Sequence, residues 1–155
     1  RALTGSWDKL VKVWDLDTGK CLHTLQGHEE LVSCLAVHWI GKRALSGSYD
    51  GELRLWRLDN SACIATLGGH QGRISCVQAD WNKYRALSGS WDATLRLWDL
   101  AANACVGVLE GHQDVVACVE VDWAAGRALS ASWDRTLRLW DLDARSCTLR
   151  VDELL

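Results

Sequence analysis

His28, Ser46 and Asp50 are the side-chain types of a hydrolytic relay: an imidazole to accept a proton, a hydroxyl to give one up, and a carboxylate to orient the ring. The trio recurs as His70, Ser88 and Asp92 and as His112, Ser130 and Asp134, each set 42 residues after the last. That recurrence argues against catalysis, because an enzyme has no use for three copies of its nucleophile and no nucleophile motif surrounds these serines. Six residues after each Asp stands a tryptophan, Trp56, Trp98 or Trp140. An earlier partial copy has Thr4, Asp8 and Trp14 but no histidine.

Other chemistry is poorly supported. The seven cysteines form two ladders, 21, 63, 105, 147 and 34, 76, 118, without a Cys-x-x-Cys pair or zinc-finger histidine spacing. They read as small, buried, reduced thiols of a cytoplasmic protein. Asp80 and Asp122 precede Trp81 and Trp123, but His38 holds the third such position, so this ladder reads as surface rather than metal site. No phosphate-binding glycine loop is present, and no cofactor is expected. A net charge of −3 and a pI near 5.9 argue against a general nucleic-acid or membrane-surface binder. No apolar run is long enough to span a bilayer.

The elements that must position these residues repeat as well. Arg1–Asp8, Arg43–Asp50, Arg85–Asp92 and Arg127–Asp134 are near-copies of one octapeptide, and Gly-His precedes three of them at 27–28, 69–70 and 111–112. In the second unit, Leu31–Trp39 is apolar and β-branched enough for a buried strand. Ile40 to Lys42 turns the chain, and Arg43–Tyr49 is the next strand. Asp50-Gly51 is a hairpin signal, since both types tolerate positive φ. Leu53–Leu58 follows with alternating faces. Asp59 to Ser61 turns again, and Cys63–Leu67 closes the unit.

A period in the low forties with Gly-His before and Trp-Asp after is the signature of a four-stranded propeller blade. The chain resembles the WD-repeat β-propeller family over essentially its whole length. The resemblance implies an all-β propeller segment of four-stranded antiparallel blades, with strands a to d running outward from a central channel. Three blades are whole (31–68, 73–110 and 115–151), and a partial one (1–25) lacks its inner strand. It also implies that His28, Ser46, Asp50 and Trp56, with their counterparts His70, Ser88, Asp92, Trp98 and His112, Ser130, Asp134, Trp140, form structural hydrogen-bond relays. Buried polar groups there are costly unless paired. The first blade's relay is expected to be broken.

By the same resemblance, Trp7, Tyr49, Trp91 and Trp133, just before the turn Asp residues, lie on a partner-binding top face. Leu31, Arg73 and Val115 stand near them, followed by Ser33, Ser75 and Ala117; these positions vary among otherwise copied units. At the opposite end, Arg1, Arg43, Arg85 and Arg127 lie near Trp39, Trp81 and Trp123, each Arg expected to stack on its own unit's Trp or to solvate its loop. The expected function is a non-catalytic protein–protein interaction scaffold with a protein or peptide partner. The alternative is a regulatory propeller segment attached to an enzymatic or signalling domain upstream. The absence of Met points to a piece of a longer chain, and ring closure is expected from further blades of that chain. Glu153-Leu154 stand where the period calls for Gly-His, so the run of repeats is expected to end there.

Overall fold

The computed structural model describes residues 1–152; Glu153 and Leu154 lie outside them. Fifteen strands form four antiparallel sheets, each built from strands consecutive in sequence. The first sheet has three strands, β1 (Ala2–Gly5), β2 (Val11–Trp14) and β3 (Cys21–Leu25). The second has β4 (Val32–His38), β5 (Arg43–Ser48), β6 (Leu53–Arg57) and β7 (Cys63–Leu67). The third has β8 (Ile74–Asp80), β9 (Arg85–Ser90), β10 (Leu95–Asp99) and β11 (Ala104–Leu109). The fourth has β12 (Val116–Asp122), β13 (Arg127–Ser132), β14 (Leu137–Asp141) and β15 (Ser146–Val151). No helix of the described residues is long and apolar enough to cross a membrane.

Local sequence explains the hairpins. The residue after each turn Asp has positive φ: Lys9 (71°), Gly51 (82°), Ala93 (66°) and Arg135 (67°). In the second sheet's Asp50–Gly51 turn only Gly51 takes that conformation, while Asp50 keeps a negative φ and uses its carboxylate to accept the Glu52 amide at 2.9 Å. A register shift recurs just before each tryptophan of the third strand in a sheet's order, at Leu55/Trp56, Leu97/Trp98 and Leu139/Trp140. Such bulges bend the outer pair and increase its twist.

The core lies between sheets rather than within one. Trp56 packs with Val11, Val13 and Leu25 of the sheet before it. Trp98 likewise meets Leu45, Leu53, Leu55 and Leu67, and Trp140 meets Leu87, Leu95, Leu97 and Leu109. Burying one such indole is worth about 4–6 kcal/mol as an upper bound on the area scale. On the fourth sheet Leu129 is 44% exposed, whereas the equivalent Leu45 and Leu87 are at 0% beneath the next sheet.

The thiols depart from the expected burial. All seven are free, but Cys21, Cys63 and Cys118 are exposed and the other four are half-buried. Among the described residues, Cys21 and Cys63 lie on outermost strands that no further strand covers, and no sheet lies over Cys118. In the covered seams, burial pushes the Cys34 thiol up to about 12, with neighbouring Cys76 adding to the effect, and pushes Cys76 up to about 11.

Candidate functional site

Each relay set sits where the loop entering a sheet meets the turn between its second and third strands. In the second sheet His28 Nδ1 is 2.8 Å from Asp50 Oδ2, His28 Nε2 is 2.7 Å from Ser46 Oγ, and the Trp56 indole N–H donates to Ser46 Oγ at 2.7 Å. The third sheet repeats this with His70, Asp92, Ser88 and Trp98 at 2.8 Å throughout. The fourth does so with His112, Asp134, Ser130 and Trp140 at 2.7–2.8 Å. In the first sheet Trp14 donates to Thr4 Oγ1 at 2.8 Å, while Asp8 accepts from Lys12 and the Leu10 amide.

One proton arrangement satisfies every atom. The indole N–H donates to the serine oxygen, the serine O–H donates to Nε2, and the Nδ1–H donates to the carboxylate. Ser46, Ser88 and Ser130 are wholly buried, so each hydroxyl is held between two partners and out of reach of a substrate. Burial alone would raise the Asp92 carboxyl, but hydrogen bonds from His70 and Thr94 outweigh it and hold the group well below the usual carboxylate range. Asp134 is lowered in the same way by Thr136, the Gln113 amide and His112, against the opposing effect of burial. Burial lowers His112, outweighing the attraction of Asp134.

Sequence reasoning missed two sets of residues here. Thr94 and Thr136 donate to Asp92 and Asp134 at 2.7 Å and approach His70 and His112, a contact the second sheet lacks because Glu52 stands at that position. Ser48 and Ser132 donate to the Glu30 and Asp114 carbonyls at 3.1 and 3.0 Å, pinning the incoming loop. The signal was present: a Thr two residues after the Asp in two units, and a Ser two residues before it in all four.

The aromatic residues before the turns form a row. Tyr49 and Trp91 have ring centroids 5.8 Å apart, and Trp91 and Trp133 are 5.5 Å apart. Trp91 is 37%, Trp133 60% and Trp7 85% exposed, and Tyr49 is half-buried. Arg73 lies over both Tyr49 (4.6 Å) and Trp91 (4.7 Å). Leu31 is half-buried on the same rim, whereas Val115 is buried and offers little surface. Ser33 and Ser75 do not face outward as a variable recognition set would. Their hydroxyls donate across the seam to the carbonyls of Ile74 and Val116, the first pair at 2.5 Å.

At the opposite end Arg43 and Arg85 reach forward instead of stacking on their own unit's tryptophan, while Arg1 and Arg127 are exposed and lie over no ring among the described residues. Arg43 lies over Tyr84 at 4.9 Å and Arg85 over Trp123 at 5.2 Å, each ring belonging to the next sheet. His38 stacks on Trp81 at 5.7 Å, and Asp80 pairs with Arg85 at 3.5 Å while capping its own turn through the Asn82 and Lys83 amides. A cavity of about 180 Å³ between the first two sheets is lined by Arg1, His23, Trp39, Lys42, Leu58 and Asp59. Among the described residues no group of His, Cys, Asp and Glu is arranged to hold a metal ion.

Short stretches of the chain match known proteins. A 32-residue stretch is 53% identical to an uncharacterised WD repeat-containing protein of Schizosaccharomyces pombe, covering 21% of this chain and 9% of that protein. A 41-residue stretch is 49% identical to the nuclear distribution protein PAC1 of Cryptococcus neoformans, covering 26% of this chain and 10% of the relative. A 39-residue stretch is 49% identical to a Lissencephaly-1 homolog of Heterostelium pallidum, covering 25% and 9%. The matched segments thus span about a tenth of the length of these relatives. The WD domain, G-beta repeat profile matches residues 1–15, 19–57, 61–99 and 103–141, each full match running from the outer strand of one sheet to the third strand of the next. With most of its length in those repeats, the chain belongs to the WD40 family.

Proposed function

We propose that this chain is a non-catalytic protein-interaction scaffold whose partner-binding surface is the aromatic rim formed by Tyr49, Trp91 and Trp133. WD40 repeats are typically protein-binding and usually non-catalytic. The observation that carries the assignment to this face is the continuous row of ring contacts from Tyr49 through Trp91 to Trp133, left partly open to solvent. Large rigid rings with one free face bury much area on binding while losing little side-chain entropy, which is why Trp and Tyr dominate binding hot spots. The buried serines, each committed to two partners, support a structural role for the His-Ser-Asp sets.

The test is the triple replacement of Tyr49, Trp91 and Trp133 by Ala. Partner capture from lysate, quantified by mass spectrometry, should fall at least about tenfold while the melting transition remains. Undiminished capture of the same proteins by the variant would reject this surface.

A further inference from the structure

Arg73 places a permanent charge between two rings of the rim. Its guanidinium carbon is 4.6 Å from the Tyr49 centroid and 4.7 Å from that of Trp91. The flanking units carry aliphatic residues at the equivalent positions, Leu31 and Val115. An aliphatic plug packs there without needing water or a partner, so an arginine calls for an explanation beyond filling space. With a ring against its plane, the guanidinium can hydrogen-bond only along its edge. Of the exposed arginines among the described residues, 57 and 150 have carboxylate partners while 1, 127, 135 and 145 do not, and only Arg73 is held over two rings. Among the described residues the Arg73 edge has no carboxylate or hydrogen-bond partner, and the side chain is exposed.

We infer that Arg73 is the recognition point for a single carboxylate of a protein partner, presented beside an apolar side chain that packs on Trp91 and Trp133. The inference rests on the rim being the binding surface. The planar fork of N–H donors matches a carboxylate in two parallel hydrogen bonds, and the two rings, tilted 55° to one another, hold the guanidinium carbon between them before the partner arrives. The charge of the occupant is bounded by its surroundings. Glu29, Glu30 and Asp114 are exposed on the loops of the same rim. A polyanion would meet them unfavourably, whereas one Glu or Asp flanked by apolar or basic residues complements the mixed rim.

Peptide-display selection on the intact chain tests this, followed by titration of a selected synthetic peptide and its amide version, Glu replaced by Gln or Asp by Asn. The expected result is an acidic position in the selected peptides and an amide version that binds wild type about tenfold or more weakly. That difference should vanish on Arg73→Leu, which installs the aliphatic side chain the preceding unit already uses and so preserves the fold, and should persist in part on Arg73→Lys. Selected peptides without an acid, or an amide penalty unchanged in Arg73→Leu, would overturn the proposal. Binding lost on replacing Tyr49, Trp91 and Trp133 but indifferent to Arg73→Leu would leave the rim assignment standing and remove this one. Binding indifferent to both variants, or a selection that yields no binders, would count against both.

Discussion

Replacing Trp98 by Ala should remove much of what joins the second and third sheets. The indole is 1% exposed and packed among Leu45, Leu53, Leu55 and Leu67, and its N–H donates to Ser88 at 2.8 Å. Truncating a fully buried tryptophan costs about 3–5 kcal/mol through lost transfer energy and the cavity left behind. For a chain of this size, that corresponds to a fall in Tm of roughly 6–20 °C. Trp98→Phe keeps most of the packing but deletes the donor, leaving Ser88 and His70 without the head of their chain, and should cost about 2 kcal/mol. Trp14 is a counterpart only half-buried in this chain, so Trp14→Ala should cost less than about 2 kcal/mol. Urea titration followed by circular dichroism measures all three. Equal losses for Trp14→Ala and Trp98→Ala would refute the view that burial in the inter-sheet seam sets the energy.

Two further outcomes follow from the same geometry. His112 is held below its usual 6.5 and Asp50, Asp92 and Asp134 below 3.8, so the unfolded chain binds more protons than the folded one on the acid side of each value. Their contribution is therefore complete above 6.5, begins to fall as His112's window is entered, and falls more steeply below 3.8; unfolding free energies across pH 3–8 that rise on acidification from 7 to 5 would contradict the neutral imidazole. Ala93 holds a φ of 66° where the second unit has Gly51 at 82°, so Ala93→Gly should stabilise the chain by about 0.5–1 kcal/mol, and a lowered Tm would show that this turn is not strained.

The sequence announced the fold because one period governs both local structure and packing. Turn residues recur at fixed offsets, so Cys63–Leu67 is bounded as expected and the strand from Arg43 stops one residue early, at Ser48. The relay was legible because His, Ser, Asp and Trp recur at fixed offsets in three units, and buried polar groups of those types need partners. What the repeat could not reveal is which neighbour a side chain meets. Arg85 stacks on Trp123 instead of Trp81 because the seam, not the sheet, is the packed unit, and a periodic sequence looks identical under a shift by one unit. The same ambiguity hid Ser33 and Ser75, whose partners lie 41 residues away. All four cysteines of the outermost strands lie where cover is thin, but Cys105 and Cys147 are half-buried with Arg96 and Arg138 at 3.7 Å, whereas Cys21 and Cys63, with no such arginine partner among the described residues, are exposed; alternation alone does not encode that difference.

The bonds that tie one sheet to the next reach no more than one repeat along the chain: the Val32 amide to the Ser6 carbonyl and Ser61 to His23 between the first two sheets, then Ser33 to Ile74, Ser75 to Val116 and Gln78 to Glu120, the last three at separations of 41 or 42 residues. Mechanically this is a row of clasps, each loaded through its neighbours. Under tension these clasps are loaded in series, so sheets should come away one at a time rather than together. Each release of a 42-residue unit frees about 140–150 Å of chain at full extension. A single-molecule extension trace should thus climb in near-equal increments, a ruler whose divisions are the repeats themselves.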